Sequence, residues 1–189
     1  MHGLFFEVRP KPGHMAHYFD HVARLKPVLA RHEGLVFLDR YRPLDDPGAL
    51  LSHQIWASEE AIAAWRADAT HRASQAAGRR VHFLDYRIRV GAQLTDLELE
   101  DGDGQTGNGR FLVAAYGAAP ADLPGARAFE SVNHAGWFVT LAPAGDGAAA
   151  RRIARGAMDA GAETARIFAI SRDYTMTDRA EAPDRDSGH

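Results

Sequence analysis

The sequence predicts an α+β fold in which a ferredoxin-like βαββαβ unit is followed by a degenerate second copy of itself. Residues 1–95 show the order strand, helix, strand, strand, helix, strand. Residues 110–176 repeat that order with one helix missing. Because the strands are apolar on both sides, we expect an antiparallel sheet with its helices on one face and its other face buried against another sheet.

The first half opens with a strand and an amphipathic helix. The apolar run Gly3–Val8 ends at proline and glycine residues, which is typical of a strand that leads into a turn. Over His14–His32, apolar residues recur at spacings of three and four and form one helical stripe. Pro27 predicts a kink, because proline removes an internal hydrogen bond of the helix.

Two strands, a helix and a last strand complete this half. Leu35–Tyr41 and Ala49–Ala57 predict a hairpin around a loop that contains proline and aspartate. Ser58 is suited to cap a helix that continues to about Gly78. Val81–Val90, with apolar residues at positions 81, 83, 86, 88 and 90, predicts the fourth strand.

The second half follows a stretch rich in acidic residues and glycine, residues 96–109, which predicts a linker. The loop APADLPG stands where the first helix of the repeat would be. The charged end of the chain, residues 177–189, predicts a disordered tail. The predicted elements of this half are strands at Arg110–Tyr116, Ala126–Asn133, Gly136–Ala142 and Ala165–Tyr174, and a helix at Asp146–Ala160.

Composition narrows the classes of function. The 189 residues contain no cysteine, which excludes disulfides, thiolate metal sites and cysteine nucleophiles. A net charge of −3 offers no basic surface for nucleic acid. No apolar run approaches a membrane span and no signal sequence opens the chain, so we expect a cytoplasmic protein without membrane or nucleic-acid partners.

One segment resembles a known family. The stretch from Trp56 to Val90, WASEEAIAAWRADATHRASQAAGRRVHFLDYRIRV, is similar to the second half of an antibiotic biosynthesis monooxygenase domain. With the preceding PGHMAHYFDHVARLKPVLARHEGLVFLDRY, the similarity covers about the first half of the chain. The resemblance implies an α+β barrel with a substrate pocket between helices and sheet. It leaves open whether two chains pair as a homodimer or the two halves of one chain form a pseudo-dimer.

The resemblance implies two kinds of chemistry. Some members of the family oxidise aromatic polyketide intermediates with dioxygen and no metal or flavin, so that a deprotonated substrate supplies the electrons. Others degrade haem, with an iron-binding histidine ten residues after the helix tryptophan and an asparagine in the first strand. This chain has Gln75 and Val8 at those positions, which disfavours haem. The resemblance therefore implies an oxygenase without a cofactor that acts on a small aromatic or enolisable substrate.

Trp65 and His71 are the candidate catalytic residues. Trp65 occupies the tryptophan position of the family's second helix, where it lines the pocket or is simply part of the core. His71, six residues later, is a candidate base, since relatives that oxidise polyketides carry a polar aromatic residue there. An ideal helix turns His71 about 120° away from Trp65 and toward solvent. A break near Asp68 would re-aim it.

Further candidates lie on the first helix and the fourth strand. One flank of the first helix carries His14, His17 and His21 at spacings that allow metal binding. No carboxylate is placed to complete a ligand set, so we expect no metal site. We predict instead that His17 and His21 bind substrate at the pocket mouth. Tyr86 is a candidate for a hydrogen bond to a substrate oxygen, with packing inside the barrel as the alternative.

Two hypotheses of function follow. The first is the cofactor-free monooxygenase or oxidoreductase described above. The second is a non-catalytic small-molecule-binding or stress-related barrel protein, since the resemblance is to a family with many members without evident chemistry, and no nucleophile, phosphate loop or metal motif contradicts it. In the second half, Trp137 lies on a strand and the alanine-rich helix has no tryptophan, so we predict that this half covers the first and holds no site of its own.

Overall fold

The computed structural model describes residues 1–95 and 110–183. The first half contains four strands and two stretches of helix, the second of which is broken. Its elements are β1 (His2–Pro10), α1 (Met15–Leu29), β2 (Leu35–Pro43), β3 (Leu50–Trp56), α2 (Glu59–Ala67), α3 (Ala69–Ala77), a π-helical turn (Gly78–His82) and β4 (Phe83–Gln93). The predicted single helix from Ser58 to Gly78 is thus two helices. Pro27 lies in the last turn of α1.

The second half repeats the strands of the first. Its elements are β5 (Phe111–Gly117), β6 (Arg127–Ser131), β7 (Phe138–Ala144), α4 (Gly147–Asp159) and β8 (Thr164–Thr175). Residues 118–126 contain no helix, as predicted from the loop APADLPG. Asp146 caps α4 by accepting a hydrogen bond from the Ala149 N–H.

The two sheets close into one barrel within a single chain. The first sheet has the order β2-β3-β1-β4 and the second the equivalent order β6-β7-β5-β8. Antiparallel pairing of β2 with β6 and of β4 with β8 joins them. The predicted fold class is confirmed, and the pairing occurs here between the two halves of the chain.

Burial on both faces of the strands explains their apolar sequences. All seven residues of β3 and all seven of β5 are buried. One face of each sheet fills the barrel, where Phe5, Phe129 and Phe168 are almost fully enclosed. The other face packs under helices, as Trp56 does with Val28 and Ile62. A strand buried on both sides favours apolar residues at consecutive positions, as in β5 from Phe111 to Tyr116. In β3 the ends are apolar, but the middle buries Ser52, His53 and Gln54.

Residues 177–183 are ordered, so the predicted disordered tail is wrong for this part. Glu181 accepts two hydrogen bonds from Arg110 at 2.7 Å and one from the Asp173 N–H, also at 2.7 Å. The carbonyl of Asp178 accepts from the Thr175 N–H at 2.8 Å. Charge alone predicted disorder, but these charges are paired with the barrel. The remaining tail, 184–189, and the predicted linker, 96–109, lie outside the described residues.

Candidate functional site

A cavity of about 1110 Å³ lies between the helices of the first half and its sheet. Its floor begins with Leu4 and Phe6 of β1 and continues with Tyr86, Ile88 and Val90 of β4. Side chains at alternate positions of a strand share one face, so these residues all point to the helix layer. Ile62 and Trp65 of α2, with His71 of α3, form the opposite wall.

The second half of the chain extends the floor. Because β8 pairs with β4, Tyr174 lies beside Ile88 and Arg172 lies beside Val90. Both line the cavity, as do Met176, Arg179 and Pro183 beyond them. The second half therefore does more than cover the first, because it contributes part of the cavity wall.

The break between α2 and α3 sets the direction of His71. At Asp68 the backbone leaves the helical region, with φ −56° and ψ 130°. The Asp68 carboxylate accepts hydrogen bonds from the Thr70 N–H at 2.8 Å and the His71 N–H at 3.0 Å, so it caps α3. Donation by the His71 N–H lowers the pKa of this carboxyl. The new helix starts with a different rotation, and His71 faces the cavity.

His71 stacks on Trp65. The ring centroids are 4.0 Å apart and the planes differ by 12°. His71 Nδ1 lies 2.9 Å from the carbonyl oxygen of Trp65. A carbonyl can only accept, so Nδ1 carries the proton and Nε2 is left with its lone pair. Gln75 stands at the position of the haem ligand in haem-degrading relatives, and its Nε2 lies 3.5 Å from His71 Nε2.

Burial keeps the imidazole neutral. It lowers the pKa of His71 to about 4, an effect opposed by the hydrogen bond to Trp65 and by the nearby Asp68 carboxylate. At neutral pH, His71 is therefore an unprotonated imidazole whose basic nitrogen lies at the cavity wall. This arrangement can accept a proton from a bound acid.

We predict that Asp68→Ala disturbs the stack as well as the helix. Loss of the cap should lower the melting temperature by about 2 to 4 °C, and misplacement of His71 should change the indole emission of Trp65. Asp146→Ala, which removes the equivalent cap of α4, should lower the melting temperature by a similar amount and leave the emission unchanged. Equal emission changes in both variants would contradict the proposed cause of the stacking.

Known proteins match the same half of the chain that carries the family-like motifs. The family model described as "Antibiotic biosynthesis monooxygenase" matches residues 1–77. These residues are therefore similar to an antibiotic biosynthesis monooxygenase domain. Jasmonate monooxygenase ABM of Pyricularia oryzae is 37% identical over 91 residues, which are 48% of this chain and 42% of the relative. The chain therefore spans less than half the length of this curated relative.

Solved structures resemble one half of the chain. Protein Rv0793 from Mycobacterium tuberculosis has a TM-score of 0.45 and 16% identity, covering 50% of this chain and 96% of that one. Protein PA3566 from Pseudomonas aeruginosa has a TM-score of 0.44 and 14% identity, covering 50% of this chain and 94% of that one.

The matched region, residues 1–77, and the strand β4 that follows it bring three of the predicted site residues together. Trp65, His71 and Tyr86 all line the cavity. Trp65 is also buried in an apolar cluster with Trp56 and Ile62, so the core interpretation holds as well. Tyr86 is buried, and its hydroxyl accepts a hydrogen bond from Arg179 Nη1 at 2.6 Å. It faces the helices, so the alternative of packing inside the barrel is wrong.

His17 and His21 lie elsewhere, which corrects their predicted place at the pocket mouth. Neither is among the residues that line the cavity. His17 is exposed, and His21 Nδ1 lies 3.0 Å from Ser74 Oγ. Both belong to a cluster with His14 and with His82 of the π-helical turn, whose rings stand 5.0 to 5.4 Å apart. Across residues 1–95 and 110–183, no group of three or more potential ligands could hold a metal ion.

Sequence reasoning missed the basic residues of the cavity. Six arginines from both halves of the chain line it: Arg66, Arg72, Arg79, Arg80, Arg172 and Arg179. The first four lie among alanines and polar residues on α2, α3 and the π-helical turn, a sequence that is typical of a solvated helix face. Only the closed barrel brings the other two beside them.

The helices of residues 1–95 and 110–183 include none with the length and apolar character of a membrane span.

Proposed function

We propose that the chain is a monooxygenase that acts in this cavity on a small aromatic or enolisable substrate, with dioxygen as the oxidant. The observation that carries the proposal is the neutral His71, held against Trp65 with Nε2 at the cavity wall. The domain match and the similarity to an enzyme named jasmonate monooxygenase support the reaction class. The substrate supplies the electrons, so the reaction needs no flavin or metal.

The base determines what kind of substrate can react. An imidazole whose conjugate acid has a pKa of about 4 is a weak base. It can remove a proton only from an activated carbon, such as a CH₂ group between two carbonyls or within an aromatic ketone. The indole of Trp65, stacked on the base, gives an aromatic surface against which a planar enolate packs.

The proposed reaction converts such a CH₂ group and dioxygen into a carbonyl and water. His71 Nε2 takes one proton, and the carbanion transfers an electron to dioxygen and combines with it to form a carbon–peroxide bond. The imidazolium returns its proton to the peroxide. The O–O bond then breaks while the second hydrogen leaves carbon, so one oxygen stays as the carbonyl and the other departs as water. Carbon loses four electrons and dioxygen gains four.

Dioxygen consumption tests the proposal. We expect purified protein to accelerate oxygen uptake with at least one member of a panel of anthrones and cyclic 1,3-diketones. The product should contain one more oxygen and two fewer hydrogens than the substrate, without release of hydrogen peroxide. Uptake that never exceeds the rate without protein would contradict the proposal and favour the non-catalytic binding protein. The cavity and its convergent base favour the enzyme.

A further inference from the structure

The cavity wall has an unbalanced positive charge. Six of its residues are arginines, and among the residues that the structure describes no aspartate or glutamate lines it. Arg172 is neutralised by Glu59, with 2.8 Å between Nη2 and the carboxylate. Arg72, Arg79, Arg80 and Arg179 form no ion pair with any described carboxylate. Like charges in a concave wall reinforce one another and attract an anion.

Arg179 is the arginine best placed for a specific contact. Its Nη1 donates to the Tyr86 hydroxyl at 2.6 Å, and its guanidinium lies 5.7 Å from the ring centre of Tyr174. The hydroxyl accepts in this bond, so its own hydrogen is free to donate. The remaining guanidinium N–H groups and the tyrosine O–H are therefore two donors at one point of the cavity.

The segment that carries Arg179 is fixed to the barrel at both ends. Before it, the Thr175 N–H bonds to the Asp178 carbonyl, and after it Glu181 bonds to Arg110 and the Asp173 N–H. Because the backbone of this segment is already ordered, no loop has to be ordered when a ligand binds Arg179, which favours affinity. Its position is part of the folded structure and needs no loop closure.

An apolar surface connects the arginine with the base. From Tyr86 the floor continues along β4 through Ile88 to Val90, a distance of about 13 Å at the usual rise of a strand. Ile88 and Val90 pack with Trp65, on which His71 is stacked. A ligand that extends from Arg179 to His71 meets a guanidinium and a hydroxyl at its first end, apolar side chains along its body and the imidazole at its other end.

We infer that the substrate is an amphipathic carboxylate, whose anionic group binds Arg179 and Tyr86 while its apolar body covers the β4 floor and its reactive carbon reaches His71. The inference rests on the proposed function for the reactive end, whereas the binding of the anion stands on the arginines alone. Uncharged polyketide-like compounds would leave this end of the cavity without a partner. Nothing in the domain match assigns a role to Arg179, which lies outside residues 1–77.

Matched ligands that cannot react test the inference apart from catalysis. Calorimetric titration would compare 4-phenylbutanoate with 4-phenylbutan-1-ol, which share a body but differ in charge. We expect the carboxylate to bind at least about tenfold more tightly. Arg179→Met should abolish most of this preference and leave the affinity for the alcohol within about twofold, while Arg179→Lys should restore part of it, since lysine keeps the charge without the planar fork.

Two controls separate recognition from general effects. Arg155→Met removes the same charge from the exposed face of α4 and should leave the preference intact. Tyr86→Phe keeps the ring and should weaken the binding of 4-phenylbutanoate but not of the alcohol. Equal affinity of wild-type protein for acid and alcohol, or equal effects of Arg179→Met and Arg155→Met, would overturn the inference. If the preference is found but the oxygen-uptake panel fails, the carboxylate site stands and the monooxygenase proposal falls.

Discussion

His71→Gln is expected to lower the rate of oxygen-dependent turnover by about a hundredfold or more, because general-base catalysis usually contributes that much. Glutamine keeps a donor for the Trp65 carbonyl and a similar volume, but it cannot take up a proton. The cavity should stay formed, so the affinity for an unreactive ligand such as 4-phenylbutanoate should change by less than about threefold. Oxygen uptake and calorimetry measure the two quantities separately.

His134→Gln is the matched control for this experiment. His134 is exposed on the second half of the barrel and does not line the cavity, so turnover should be unchanged. Turnover of His71→Gln within about threefold of wild type would show that the proton goes to another group. If His71→Gln loses both ligand binding and turnover, the imidazole instead has a packing role.

The second large effect concerns His53, which is fully buried inside the barrel between the two halves. Its Nδ1 lies 3.3 Å from the Leu4 carbonyl, and its Nε2 lies 2.6 Å from the Tyr116 hydroxyl of β5. Its ring stacks on Phe5 at 4.3 Å. Burial, together with the charge of Arg166, lowers the pKa of His53 to about 3, although the hydrogen bond to Leu4 opposes this shift. The folded protein therefore holds His53 neutral.

Acid should destabilise the barrel through this residue. The unfolded chain binds the proton near pH 6.5 and the folded protein only near pH 3, so the stability is present above pH 6.5 and is lost as the pH falls toward 3. Between pH 7 and pH 5, His53 alone should reduce the free energy of unfolding by about 2 kcal/mol. His71, with a pKa of about 4, acts in the same direction.

Urea unfolding at pH 7 and pH 5 measures this loss. In His53→Gln the difference between the two pH values should shrink by about 2 kcal/mol, whatever the stability of the variant at pH 7. The exposed His134→Gln variant should keep the wild-type difference. An unchanged pH dependence in His53→Gln would mean that His53 is protonated in the folded protein, which contradicts its place in the core.

Part of the candidate site follows from local sequence. Trp65 is apolar and lies at a core spacing of its helix, so its burial was predictable from periodicity. The break at Asp68 also has a local signal, because aspartate before Ala-Thr-His is a good helix cap. The prediction of one continuous helix gave too much weight to the helix-forming residues on either side. With the cap recognised, the direction of His71 follows.

Other parts of the site have no local signal. Arg172, Tyr174 and Arg179 are close to Tyr86 and Val90 only because β8 pairs with β4, which are about 80 residues apart in the chain. The composition of residues 177–183 predicts disorder, but Glu181 is held by Arg110, which lies about 70 residues away in the chain. His17 and His21 show the opposite error, since helical spacing groups them correctly with His14 but cannot tell that the group lies away from the cavity.

The sequence alone determined the order of the elements, the repeat and the need for two sheets, because hydrophobic periodicity records which faces of a strand or helix avoid water. Tertiary structure decided that the two sheets close within one chain, that β8 completes the cavity floor and that arginines from both halves meet there. These features depend on contacts between distant residues. Such contacts are set by packing and hydrogen bonding across strand edges, which leave no pattern in neighbouring residues.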